Sequence, residues 1–306
     1  MRYRPSLRLW SISYFAKDNS LRVILLLFTL LSPLAHAEPL YFLAQKGNTR
    51  LLILGSIHVG KPSLYPLPDE VRQFLARSDG LIVEADIREG KAPRLAKPKW
   101  SSQEVLNRQQ IKKLQNIAKQ LSLNPSALLK LPPWASALQI QLALFDKIGL
   151  SPAYGVDTTM IALADNQHVP VLGLETLQFQ LNILATLPKG GKALLTNTLS
   201  ESDNGTQMGR CLITAWQQGD AAALTKFSDL SSFSADFDNK LLYSRNKSWV
   251  KKITSDNFLP SKNGRYTMVV GAMHLIGPGN VLNLLKQQGY SIIQRSTSAP
   301  AQCRFE

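Results

Sequence analysis

RLLILGSIH, residues 50–58, and YTMVVGAMH, residues 266–274, decide how this chain is read. Each is an apolar run of strand length that stops at Gly-x-x-His, and such runs bounded by turn residues read as buried strands. Glycine at the stop lets the backbone turn sharply or be approached closely, so the following His is presented at the rim of the sheet.

Outward from the first stretch, residues 40–44 form another apolar run, and Lys46-Gly47-Asn48-Thr49 between them predicts a hairpin. Pro68 opens a helix with Val71, Phe74 and Leu75 on one face, which ends at Asp79-Gly80 before the strand Leu81-Ile82-Val83-Glu84. Ser101-x-x-Glu104 is a capping box for one helix carrying Leu106, Ile111, Leu114, Ile117 and Leu121, and a second helix follows Pro132-Pro133. Gly155-Val156-Asp157 leads into a short helix, with Asp157 placed to cap it, and residues 169–175 read as another buried strand ending on Glu175.

Residues 176–257 are helical in pattern, broken at 201–205, at Gly219-Asp220 and at 229–234. Behind the second Gly-x-x-His come Gly277-Pro278-Gly279, a helix through Lys286 and a last strand at 291–294. The fold class expected is α/β of the mixed α+β kind: a central mixed β-sheet flanked by helices, with an all-helical insertion in the C-terminal half, in one domain over residues 38–306.

Residues 1–37 are read apart from that domain. Arg2, Arg4, Arg8, Lys17 and Arg22 stand against a single acid, Asp18, ahead of the apolar run from Val23 and the small-x-small triplet Ala35-His36-Ala37. This is the pattern of a signal peptide cleaved after Ala37, and it predicts a periplasmic protein. An uncleaved inner-membrane tether is the alternative, against which the apolar run is short of the roughly 20 residues needed to cross a bilayer.

Removing that leader takes away five bases and one acid, so the net charge falls from +14 to +10. Export and the absence of aromatics interleaved with the bases argue against nucleic acid as a partner. The densest basic stretch, from Arg88 to Lys99, reads as a solvated loop or as a contact with an anionic envelope surface such as lipid, glycan or peptide. Cys211 and Cys303, both in the mature part, are able to pair in an oxidising compartment.

Four apolar strands thus end on a potential ligand or acid-base group: His58, Glu84, Glu175 and His274. If they run parallel, their C-terminal ends meet at one rim, where open α/β sheets place their ligand crevices. A lone His after a strand is commonly structural, and so His168 in its turn is read. Two matched copies among three mature histidines point to function instead. Two imidazoles and two carboxylates suit a divalent ion of the zinc, manganese or cobalt type, and equally a His base oriented by Glu with no metal. Arg245-Asn246, in a helix with Trp249, reads either as a surface pair or as a buried anion clamp. No Gly-x-Ser-x-Gly, Walker A loop, GxGxxG or His-Glu-x-x-His occurs.

GSIHV (55–59), LIVEAD (81–86), PWASALQI (133–140), the block 154–176, RNKSW (245–249) and residues 268–290 together resemble the TraB/GumN family, which includes the Tiki proteins. The resemblance runs in order over nearly the whole mature chain. Its relations to erythromycin esterases and to ChaN-like haem-binding proteins imply a mixed α/β fold with paired Gly-x-x-His motifs. The Tiki members imply a metal-dependent, peptidase-like hydrolase using manganese or cobalt. Carried over by position, that implies His58, Glu84 and His274 as metal and catalytic residues, with Asp157 and Glu175 as further candidates and Arg245 in the catalytic set. The esterase branch implies a metal-free hydrolase, and the haem-binding branch a binding protein for haem, a peptide or an envelope glycan.

Overall fold

A tight turn at Gly47-Asn48, where Gly47 takes φ +56°, folds β1 (Tyr41–Lys46) back on β2 (Thr49–Ser56), with Lys46 opposite Thr49. This is the hairpin that the Lys46 to Thr49 tetrapeptide predicts. The computed structural model describes residues 37–88, 94, 97–232 and 234–305. The expected leader, its cleavage and the alternative tether fall on residues 1–36, and Lys91 of the basic stretch falls on residues 89–93, all outside the described residues.

Four further strands complete one sheet: β3 (Gly80–Ala85), β4 (Val171–Glu175), β5 (Arg265–Gly271) and β6 (Ser291–Gln294), in the order β4-β3-β5-β2-β1-β6. β2, β5, β3 and β4 are mutually parallel, whereas β1 is antiparallel to both of its neighbours. The mixed sheet with flanking helices is the expected fold class.

Strand periodicity assigns the two faces. Leu52, Leu54, Leu81, Val83 and Val269 enter one core with Val156, Met160 and Trp216 from the helices Val156–Asn166 and Gly205–Gln217. Their neighbours Leu51, Ile53, Ile82, Met268 and Val270 enter a second core with Trp249 and Val281 from the helices Ser244–Ile253 and Val281–Gln287. Burial on both faces is why these strands read as continuous apolar runs rather than as alternations. A third, helix-only cluster joins Leu114, Leu128, Ile140 and Leu195.

Two expectations are corrected. The helix opened by Ser101 stops after Val105, because Leu106 is extended (φ −89°, ψ 144°). Asn107 then opens a separate helix, Arg108–Gln120, with a capping box of its own to Gln110. A second competing cap within the same apolar pattern broke it, and periodicity alone does not register that break. β4 is an edge strand, half-buried at Val171, Leu172 and Gly173, and not a fully buried one.

Between β4 and β5 the described residues form helices joined by turns as far as Ile253, with a π turn at Asn239–Tyr243 leading into Ser244–Ile253, and residues 254–264 form turns before β5. No helix among the described residues is long and apolar enough to cross a membrane. Cys211 and Cys303 form a disulfide that fastens the C-terminal tail to the helix Gly205–Gln217. Closing a loop of 92 residues restricts the unfolded chain most. Cys303→Ser is therefore expected to lower the free energy of unfolding by about 2–4 kcal/mol, read from urea denaturation of the oxidised protein.

Candidate functional site

Parallel alignment of β4, β3, β5 and β2 puts Glu175, Glu84, the turn after Gly271 and the turn after Ser56 side by side at the C-terminal rim. Ser56 lies opposite Gly271 and Ala85 opposite Glu175, so the rim is in register. His274 sits in a single 3-10 turn, Ala272–His274, directly off β5.

Above this rim lies the helix Ser244–Ile253, which brings Arg245 down between the two acids. Its Nη2 donates to Glu84 Oε2 at 2.6 Å and to Glu175 Oε1 at 2.5 Å, and Nε donates to Glu175 Oε1 at 3.0 Å. Nη1 donates to the Leu241 carbonyl at 2.8 Å and points at His274 Nε2, 3.3 Å away. All three side chains of this ion cluster are at least 89% buried. Two carboxylates against one guanidinium leave a net negative charge, and neutral donors spread it. Gly271 N–H donates to Glu84 Oε1, Gln180 Nε2 to both acids, and Trp249 Nε1 to Glu175 Oε2.

Burial works against the charge on Glu84, but His274, Arg245, His58 and the Gly271 N–H outweigh it and bring its pKa down to about 2. Burial likewise opposes the charge on Arg245, and the two carboxylates overcome it, so the guanidinium is held protonated. A Cβ at Gly271 would lie 3.2 Å from Glu84 Oε1, a tight contact that would press on the acid its N–H binds.

The two histidines occupy opposite environments. His274 is buried, packed in a tilted contact against Trp249 with 4.3 Å between ring centroids, and desolvation lowers its pKa to about 4. Asn246 Nδ2 donates to the Gly279 carbonyl, so its Oδ1 faces the imidazole and accepts from His274 Nδ1 at 2.5 Å. The remaining nitrogen, Nε2, then carries the lone pair that Arg245 addresses.

His58, by contrast, has 70% of its side-chain surface open to solvent. Its Nδ1 meets Asp157 Oδ2 at 3.0 Å, and the other Asp157 oxygen accepts from Ser56 Oγ at 2.9 Å. The hydrogen bond to Asp157 raises the His58 pKa to about 9, against a smaller opposing effect of desolvation. Gly155 makes this pairing reachable, since a Cβ there would lie 2.6 Å from the His58 carbonyl.

Asp157 thus does not cap its helix. Gly155 holds the cap position, and the Asp157 carboxylate points to the rim instead. Arg245 is the buried clamp and not the surface residue. His168 sits exposed in its turn with φ +57°, away from the cluster. Sequence reading missed Gln180, Trp249 and Ser56 as partners. The recurrence of Arg245, Asn246 and Trp249 on one helical face was the available signal for one of them.

An ion held by His58, Glu84 and His274 is what the resemblance implied. In this arrangement the His274 lone pair and both glutamates are already engaged by Arg245. Among the described residues no three His, Cys, Asp or Glu side chains are spaced to hold a cation. As arranged, the donors do not fit an ion, and they would do so only with Arg245 displaced.

A cleft of about 510 Å³ opens onto the cluster between Glu175, Arg245 and Trp249 on one side and Phe179 and Ile183 on the other. Fold and rim together define an α/β protein with paired Gly-x-x-His turns around a buried Arg-Glu-Glu cluster. The chain belongs to the TraB/PrgY/gumN family, whose sequence pattern it matches over residues 40–294. It is 32% identical over 244 residues to the uncharacterized protein YbaP of Escherichia coli (strain K12), covering 78% of this chain and 89% of that protein. The YbaP protein of Shigella flexneri matches to the same extent. No solved structure matches.

Two outcomes are expected of the site. In imidazole NMR titrations His58 loses its proton well above the ordinary value of roughly 6.5, and Asp157→Asn returns it towards that value, while His274 stays neutral down to about pH 5. Arg245→Met leaves two buried carboxylates without their cation and costs about 3–5 kcal/mol in urea denaturation.

Proposed function

We propose that this protein is a periplasmic hydrolase, peptidase-like, which cleaves an amide or ester bond with water at the rim of the sheet. The observation that carries this reading is the pairing of His58 with Asp157 beside the buried cluster. Every N–H of Arg245 is directed at a protein acceptor, and the Glu84 and Glu175 oxygens accept from protein donors. The His58 ring is exposed to solvent and has a carboxylate on its Nδ1, which is the arrangement of a general base.

In this mechanism His58 takes a proton from water as the water oxygen bonds to the acyl carbon. The bond to the leaving nitrogen or oxygen breaks, and His58 returns the proton to that atom. Asp157 fixes the tautomer and offsets the charge that forms on the ring. Arg245, Glu84, Glu175 and Asn246 act as positioning residues, holding the floor of the site and the orientation of His274.

A metal-dependent version is the second reading. It requires Arg245 to be displaced, which would leave the negative charge of the cluster, with His274 Nε2 3.7 Å from Glu84 Oε1, open to a cation. A manganese, cobalt or zinc ion bound there would supply a water of lowered pKa.

The test is hydrolysis of a panel of chromogenic peptide anilides and p-nitrophenyl esters by the full chain, with and without chelator. His58→Ala is expected to lose roughly 10²–10⁴-fold in kcat/KM. For the wild type, kcat/KM rises with pH until His58 is deprotonated at about 9. Asp157→Asn moves that limb down towards roughly 6.5 and lowers its plateau. Turnover lost to chelator and restored by manganese, cobalt or zinc selects the metal-dependent version. No cleavage of any substrate under either condition defeats the hydrolase reading. Recovery of the protein in the osmotic-shock fraction, with a new N-terminus at Glu38, tests export.

A further inference from the structure

Beside the rim, the helical insertion, the helix Pro133–Asp146 and the turn at Met273 line a second space, a partly open cavity of about 490 Å³ that the mechanism above does not use. It lies where two cores meet: Phe145, Phe227 and Met273 pack against the sheet core, while Leu144 and Leu194 pack against the helix-only cluster. Its size falls in the range, roughly 300–1,000 Å³, of pockets that bury most of a small organic ligand.

Three observations join this cavity to the site. Met273, in its wall, is the residue immediately before His274 in the Gly-x-x-His turn. Leu241 lines it, and the Leu241 carbonyl accepts from Arg245 Nη1. Leu241 and Leu242 both belong to the π turn Asn239–Tyr243, an irregularity that is frequent at functional sites. One segment therefore forms a wall of the cavity and holds the clamp of the cluster.

The chemistry of the wall narrows the occupant. Leucines, the three phenylalanines Phe145, Phe227 and Phe237, and the two methionines Met208 and Met273 supply an adaptable apolar surface. Two hydroxyls in the wall donate to the protein's own backbone, Thr198 Oγ1 to the Leu194 carbonyl and Ser231 Oγ to that of Phe227, and Thr198 Oγ1 also accepts from Gln141 Nε2. Among the described residues the charged side chains of the lining are Glu201 and Asp238, both acidic. An anionic end group would be repelled there, whereas an apolar chain ending in a neutral carbonyl would not.

We propose that this cavity binds an apolar acyl chain, presented as an ester or amide, and so makes the substrate of this rim an acylated molecule. The inference rests on the hydrolase reading for its chemistry and on the cavity alone for its binding. After cleavage the acyl chain carries a carboxylate, which the two acids of the wall disfavour, so the product leaves more readily than the substrate.

The test uses the full chain and two readouts. The neutral fluorophore N-phenyl-1-naphthylamine is titrated into the protein and then displaced with methyl decanoate. Hydrolysis of p-nitrophenyl decanoate is compared with that of the acetate. Binding is expected, with displacement by methyl decanoate at least about tenfold tighter than by free decanoate. Met208→Trp, which fills the space, and Leu230→Asp, which adds an acid at its exposed lip, each weaken fluorophore binding about tenfold or more with the fold intact by circular dichroism. The decanoate-to-acetate preference in kcat/KM collapses in Met208→Trp while acetate turnover is kept. Binding that is lost in both variants with no ester cleaved upholds the cavity as an acyl site and defeats the hydrolase reading. No binding, binding indifferent to both variants, or free decanoate bound as tightly as its methyl ester overturns the acyl proposal, whatever the esters do.

Discussion

The clamp of Arg245 on Glu84 and Glu175 is the constraint on which the rest of the site depends. Taking three charges out of water is costly, and it is tolerated only where geometry is good and the leftover lone pairs are met. Here both conditions hold. The planar fork of the guanidinium spans acids from two adjacent strands, and Gly271, Gln180 and Trp249 supply the additional donors. The cluster also ties the helical insertion to the sheet, because Gln180, Arg245 and Trp249 come from the insertion and both acids come from the strands. A site of this kind is assembled only when the long connection between β4 and β5 has docked.

Two histidines in matching motifs have been given different work by their surroundings. His274 is walled in by Trp249, Arg245 and Asn246, so its charged form is disfavoured and its Nε2 lone pair points into the cluster. His58 stands in solvent with Asp157 behind it, so its charged form is favoured. Groups of one type whose environments push their titration apart mark the division of acid-base roles in a site. The motif places an imidazole at the rim, and neighbours from elsewhere in the chain decide what it does.

Glycine serves this site by being absent of side chain rather than by bending. Gly155 lets the start of one helix pass against the His58 carbonyl, and Gly271 exposes an N–H to Glu84. Each is an approach that a methyl group would crowd.

From the sequence by itself came the strands and their ends: the hairpin at residues 41–56, the acids closing β3 and β4, and the two Gly-x-x-His turns, all written in apolar runs that stop at a polar residue. Family membership was legible in the same blocks. Local pattern failed where a second local signal competed, as at Asn107, and where a residue's partner was remote. Asp157 is an acid near the start of a helix in any reading of the sequence, and only β2, folded about a hundred positions away, makes it the partner of His58. Arg245 is likewise one base among many until the insertion lays its helix across the rim. Those assignments belong to the tertiary structure, because burial and the identity of the facing group are properties of packed neighbours and not of neighbours in the chain.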